Sequence, residues 1–130
     1  MAGLYFHIPF CRRICAYCDF FRSAELKWLP AAVQAMHTEM DEQRDFLCDS
    51  NIRTIYFGGG TPSLVEPSQV QLLIDHAARL WDCSQVGEIT LEANPDDLTP
   101  EYVSMLRRLP VNRISMGIQT FQEETLKLLH

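Results

Sequence analysis

Cys11, Cys15 and Cys18 fall within one short stretch, Cys11-Arg12-Arg13-Ile14-Cys15-Ala16-Tyr17-Cys18, with the spacing C-x3-C-x2-C. Thiolates are soft ligands, suited to zinc, copper(I) and iron–sulfur clusters. Ferredoxin-type clusters take four of them. A three-thiolate loop holds three irons of a cubane and leaves the fourth open to a small chelating ligand. Two other readings use the same residues. A zinc site needs four ligands, and His7 could be the fourth. A redox dithiol would use Cys15 and Cys18 and leave Cys11 without a task. Cys48 and Cys83 stand alone and read as small, partly buried apolar residues.

Three further segments carry groups that could meet a ligand. Gly58-Gly59-Gly60-Thr61-Pro62 follows a strand-like run. It lacks both G-x4-G-K-[ST] and G-x-G-x-x-G, so a nucleotide phosphate loop is a poor fit. Removing three side chains in a row lets backbone groups approach a ligand closely, whereas a tight turn explains one or two glycines. Glu92 ends another strand-like run; its carboxylate could accept hydrogen bonds from a ribose or an ammonium, or be a solvated charge. Gln119 follows a third such run and offers an amide, or is a polar residue at a strand end.

The elements that must position these groups alternate. Leu4–Ile8, Thr54–Phe57, Glu88–Ala93 and Val111–Ile118 read as strands. Residues 30–47 have helical spacing, with Ala32, Val33, Met36 and Met40 on one side. Ser68 reads as the cap of a helix to about Leu80 with the stripe Val70, Leu73, Ile74 and Ala77. Thr99 reads as the cap of the next, with Pro100 at its favoured first position. A fourth helix is expected from Phe121 to His130. Four strand–helix units imply an α/β fold, a parallel sheet with outer helices. Each candidate group follows a strand, and active sites of parallel α/β folds lie at the carboxyl ends of strands. Four strands are too few to close such a barrel, and the chain stops inside a helix without a cap or breaker. Residues 1–130 therefore read as the N-terminal part of a larger domain.

Composition narrows the classes. The 130 residues are 47% hydrophobic and 22% charged, with a net charge of −6, which suits a soluble globular protein. The acidic balance disfavours nucleic acid as a partner, although Arg12, Arg13 and Arg22 are close in sequence. There is no bilayer-length apolar run and no charged signal-peptide start. A cytoplasmic location is the expectation, where thiols stay reduced and clustered cysteines bind metals.

The flanks of the cysteine loop discriminate among its readings. Tyr5-Phe6-His7-Ile8-Pro9-Phe10 precedes it, and Tyr17 stands immediately before Cys18. The segments HIPFCRRICAYCDF, TIYFGGGTPSL, EITLEANPDDLT and NRISMGIQTF occur in order and span nearly the whole chain. Together they resemble the radical S-adenosylmethionine (SAM) family that contains the oxygen-independent coproporphyrinogen III oxidase and the heme chaperones. The resemblance implies a partial (βα) barrel and a 4Fe–4S cluster on Cys11, Cys15 and Cys18. SAM would chelate the open iron, and the reduced cluster would supply the electron that cleaves SAM to a 5′-deoxyadenosyl radical. It implies SAM contacts at Tyr5, Gly59, Gly60, Thr61, Glu92 and Gln119, and at Tyr17 a contact with SAM or its stacked neighbour. The family's next SAM contact, an arginine, would lie just past residue 130.

The two branches of this family differ after the third cysteine. The oxidase pattern places a further cysteine two residues on; here Cys18 is followed by Asp19 and Phe20. The ending resembles the heme chaperones. That branch implies heme as a carried ligand, an acceptor protein of unknown identity, and an electron donor for the cluster. Membrane contact is expected only through the acceptor. The oxidase, which decarboxylates two propionate side chains, is the alternative.

Overall fold

Apolar and polar residues alternate along the first strand, β1 (Ala2–Ile8): Phe6 and Ile8 are buried, Tyr5 and His7 exposed. In a computed structural model of the chain, which describes residues 2–47 and 50–129, this alternation runs across the sheet. The other strands are β2 (Ile52–Gly59), β3 (Glu88–Ala93) and β4 (Arg113–Met116). They lie in the order β1-β2-β3-β4, all parallel. Register pairs Phe6 with Phe57, and Phe57 with Leu91. One face therefore carries Phe6, Ile8, Ile55, Phe57, Ile89 and Leu91, all buried in the core. The Phe6 and Phe57 rings stack there with centroids 4.7 Å apart. Fully burying one such side chain contributes about 2–3 kcal/mol. The opposite face carries Tyr5, Tyr56, Thr90, Glu92 and Ser115 in register. A sheet whose second face is this polar and aromatic is built to meet something other than a helix.

The helices are α1 (Leu29–Glu42), α2 (Pro67–Leu80), α3 (Pro100–Leu106) and α4 (Glu123–Leu129). The expected stripes hold: Val33 and Met40 on α1, and Val70, Leu73, Ile74 and Ala77 on α2, are buried. Thr99 caps α3 as expected, its Oγ1 accepting the Tyr102 backbone N–H at 3.2 Å with Pro100 in the first turn.

Several boundaries differ from the sequence expectation, among them the start of the last helix, at Glu123 rather than Phe121. Ser68 is not a cap: Glu66 precedes the helix and Pro67 opens it, because proline supplies a helical φ and lacks an N–H that would go unpaired there. Helix α1 ends at Glu42 rather than Leu47, where the buried stripe would have continued onto the polar Gln43 and Arg44. Strand β4 is Arg113–Met116 rather than Val111–Ile118; its Ile114 and Met116 stay exposed at the sheet edge. The strands Leu4–Ile8 and Thr54–Phe57 extend to Ala2–Ile8 and Ile52–Gly59. Cys83 is half-buried against the core; Cys48 lies outside the described residues.

Between α1 and α2 sits a polar contact that no sequence pattern announced. His37 Nδ1 and His76 Nδ1 lie 2.7 Å apart, and His76 Nε2 lies 2.8 Å from Asp41 Oδ1. The carboxylate accepts, so His76 Nε2 carries hydrogen, and a single hydrogen is shared between the facing Nδ1 atoms. Burial, then His76 and Arg79, lowers the His37 pKa from its ordinary 6.5, against a smaller opposing pull from Asp41. Just below pH 6.5 the folded chain thus binds fewer protons than the unfolded chain, and stability falls as pH falls through that value. Replacing His37 by Gln is expected to flatten this part of the stability–pH curve. Urea midpoints of the full-length protein and the variant between about pH 7 and pH 5 measure it.

Candidate functional site

The cysteine loop leaves β1 at Pro9 and is closed at its base. Phe10 bridges Ser23; the Cys11 N–H donates to Ser23 O at 3.0 Å and the Ser23 N–H to Pro9 O at 2.6 Å. Inside the loop the Cys18 N–H donates to Cys15 O at 3.2 Å. The Arg22 guanidinium donates to Phe20 O at 2.8 Å and to Cys15 O at 3.4 Å. All three cysteines are free thiols and half-buried. Burial and the adjacent Cys15 and Cys18 raise the Tyr17 pKa, so this half-exposed ring stays neutral.

The glycine loop at the end of β2 meets this loop on one side and β3 on the other. The Gly59 N–H donates to Glu92 Oε2 at 3.1 Å. Gly59 has φ +122°, a conformation that L side chains rarely adopt, and a Cβ there would lie 2.9 Å from His7 Nδ1 and 3.0 Å from Ile8 O. The Gly60 N–H donates to Ile8 O at 2.8 Å. A Cβ on Gly60 would lie 2.7 Å from Phe10 O and 2.8 Å from Cys11 Sγ. All three glycines stand in close approach: Gly58, where a Cβ would lie 2.7 Å from the Tyr56 ring and 2.9 Å from the Tyr5 ring, Gly59 to β1, and Gly60 to the first cysteine. Thr61 follows, half-buried, and its carbonyl accepts the Leu64 N–H at 3.0 Å.

Glu92 is held from two sides. Its Oε1 accepts the Tyr56 hydroxyl at 2.6 Å, while Oε2 takes Gly59. The Tyr56 ring stacks on Tyr5 at 5.7 Å, and Tyr5 Oη lies 3.4 Å from His7 Nδ1. The bond to Glu92, then burial, raises the Tyr56 pKa; burial, then the Glu92 charge, raises that of Tyr5. Both phenols stay neutral beside the carboxylate, each of whose oxygens keeps a second lone pair for a ligand. Gln119 is exposed beyond β4 in left-handed backbone, φ 64°.

The structure thus brings Cys11, Gly59, Gly60, Glu92 and Tyr5 to one rim through direct contacts, with Cys15, Cys18 and Tyr17 on the same loop as Cys11. Tyr56 was not singled out from sequence, because an aromatic on an inner strand is most often core. The donor set suits a three-thiolate cluster. Gly60 opens space that any side chain would fill against Cys11, and Cys83 is a poor competitor, its thiol pKa raised by burial and by Asp82. Among the described residues no three Cys, His, Asp or Glu side chains converge on one metal-sized point.

Residues 5–130 match the Radical SAM superfamily, and the chain belongs to it. Its architecture agrees with the structure titled "Coproporphyrinogen III oxidase (HemN) from Escherichia coli is a Radical SAM enzyme", with a TM-score of 0.86 at 25% identity over 98% of this chain and 30% of that one. Among relatives, the chain is 42% identical to a heme chaperone HemW of Lactococcus lactis over 95% of its own length and 32% of the relative's. It is 37% identical to the heme chaperone HemW of Bacillus subtilis, over 98% of this chain and 34% of that protein. It is 35% identical to the oxygen-independent coproporphyrinogen-III oxidase-like protein HemZ of the same organism, over 98% and 27%. The chain therefore spans about a third of the length of the heme chaperones it matches.

Proposed function

We propose that the chain is the N-terminal part of the radical SAM core of a HemW-like heme chaperone, which binds heme and passes it to an acceptor protein. Cys11, Cys15 and Cys18 would hold the 4Fe–4S cluster, and Tyr5, Tyr17, Gly59, Gly60, Thr61, Glu92 and Gln119 would contact SAM. When bound, the cluster supplies an open iron for SAM and one electron toward its sulfonium. This chain's residues supply the seat. Gly60 keeps a side chain out of the space beside Cys11 and Gly59 keeps one away from His7 and Ile8. Glu92 offers its free lone pairs to an ammonium or ribose, the neutral Tyr5 ring stands beside it, and Tyr17 would approach the ligand from the cysteine loop. The protein would work in the cytoplasm with a reductant for the cluster, would not use nucleic acid, and would meet a membrane only through its acceptor.

The observation that carries the choice of branch is Phe20. It stands where the oxidase pattern has a further cysteine, and it is 72% exposed, so no packing role accounts for it. The identity to two HemW chaperones agrees with it. The full-length protein, given SAM, a reductant and coproporphyrinogen under anaerobic conditions, is expected to release no carbon dioxide above the protein-free control, and to bind heme in an absorbance titration. Sustained decarboxylation would assign the oxidase activity instead.

A further inference from the structure

Arg12 lies between the first and second cysteines, and its Nε–H donates to Asp97 Oδ1 at 3.2 Å across 85 residues of sequence. Arg13 and Arg22 make no such reach: Arg13 is exposed, and Arg22 bonds within its own loop. The exposures of the pair are unequal, with the Arg12 side chain at 67% and the Asp97 side chain at 6%. Most ion pairs with one end so exposed contribute little, because holding two mobile side chains together offsets the attraction. Asp97, however, is fixed before Arg12 arrives. Its Oδ2 accepts the buried Ser63 hydroxyl at 2.6 Å, and Ser63 Oγ accepts the Asn94 N–H at 3.0 Å. The Asp97 N–H donates to Asn94 O at 3.0 Å, and Asp97 O accepts the Thr99 N–H at 2.9 Å. The carboxylate is thus a preset acceptor joining the loop after β2, which carries Ser63, to the loop after β3, which carries Asn94 and Asp97. Among the described residues, only the cysteine loop's Arg12 brings a formal positive charge to it.

We propose that Asp97, acting through Arg12, is a positioning residue that sets the cysteine loop relative to the Gly59–Glu92 seat; this rests on the cluster reading above. The base of the loop is fixed by the Phe10–Ser23 bridge, but Cys11 to Cys18 extends beyond it. The Arg12 side chain ties that outer part to the same two strand ends that present Gly60 and Glu92. Loss of the tie leaves the ligands in place and loosens their placement, as loss of an outer partner does at other metal sites.

The test uses full-length protein, reconstituted anaerobically, with Arg12→Gln, Asp97→Asn, the double variant and Arg12→Lys. Two quantities are read: the rate of iron loss to a ferrous chelator, and the change that SAM produces in the EPR signal of the reduced cluster. Arg12→Gln alters an exposed side chain and should keep the wild-type Tm, yet lose iron about tenfold faster and show a broadened or reduced SAM-dependent change. The double variant should lose iron no faster than Asp97→Asn alone, and Arg12→Lys should restore most of the wild-type behaviour. If Asp97→Asn fails to fold, the Gln and Lys variants at Arg12 decide the matter. Wild-type iron retention and EPR response in Arg12→Gln would overturn the proposal while leaving the cluster reading intact. Effects of the two single variants that simply multiply in the double would overturn it too. Wild-type protein that takes up no iron would overturn the cluster reading and this proposal together.

Discussion

Full-length protein with Cys11, Cys15 or Cys18 replaced by Ala is expected to lose the brown iron–sulfur chromophore, falling from about four irons per chain to less than one. The effect should be near total for each position. A cubane held by three protein thiolates has none to spare, and the three sit on one loop whose base is closed by the Phe10–Ser23 bridge. Cys83→Ala should keep the wild-type iron content, because Cys83 packs against the core and burial holds its thiol protonated. Thermal unfolding of the three loop variants in the absence of iron should stay close to wild type, since half-buried thiols on a loop contribute little to the core. Iron and acid-labile sulfide analysis reads the result. An unaltered metal content in any of the three variants would remove that residue from the ligand set.

Gly60→Val should abolish SAM binding and weaken cluster retention at once. Its Cβ would come within 2.7 Å of Phe10 O and 2.8 Å of Cys11 Sγ. The first is backbone and cannot rotate away, so the cysteine loop itself must move. Overpacking of this kind costs about 1–3 kcal/mol. Gly59→Val should lose SAM binding by a different route. A φ of +122° is strained for any L side chain, by about 1–3 kcal/mol, and relief of that strain would turn the Gly59 N–H away from Glu92. Equilibrium binding of SAM to the reconstituted protein should drop at least about 100-fold for either variant, a loss of about 2.7 kcal/mol. Gly87→Val is the control: nothing lies within 4 Å of its Cβ position, and it should bind SAM as wild type does. Full SAM affinity in Gly60→Val would show that the ligand seat lies elsewhere.

The parts legible in the sequence were those that a short segment encodes by itself. C-x3-C-x2-C is a local pattern, and so are a triple glycine after a β-prone run, a Thr-Pro helix start, and the apolar stripes of α1 and α2. The parallel α/β order followed from their alternation. What was not legible depends on contacts between distant segments. Tyr56 reads as an ordinary strand aromatic until β3 places Glu92 within 2.6 Å of its hydroxyl, 36 residues away. Asp97 reads as a solvated turn residue in Asn94-Pro95-Asp96-Asp97 until Ser63 and Arg12 converge on it. His37 and His76 lie on separate helices, 39 residues apart. Boundaries failed where one residue outweighed a local preference. Pro67 took the helix start from Ser68, and the polar Gln43 and Arg44 ended the buried stripe that residues 30–47 had suggested.

Addition of SAM to the reduced full-length protein, followed by EPR, tests the account most directly. It asks whether a three-thiolate cluster sits beside a seat for the ligand of its fourth iron. The predicted result is a clear shift in the g values of the reduced cluster, saturating with SAM and absent in Gly60→Val. A reduced cluster whose signal is the same with and without saturating SAM would contradict it.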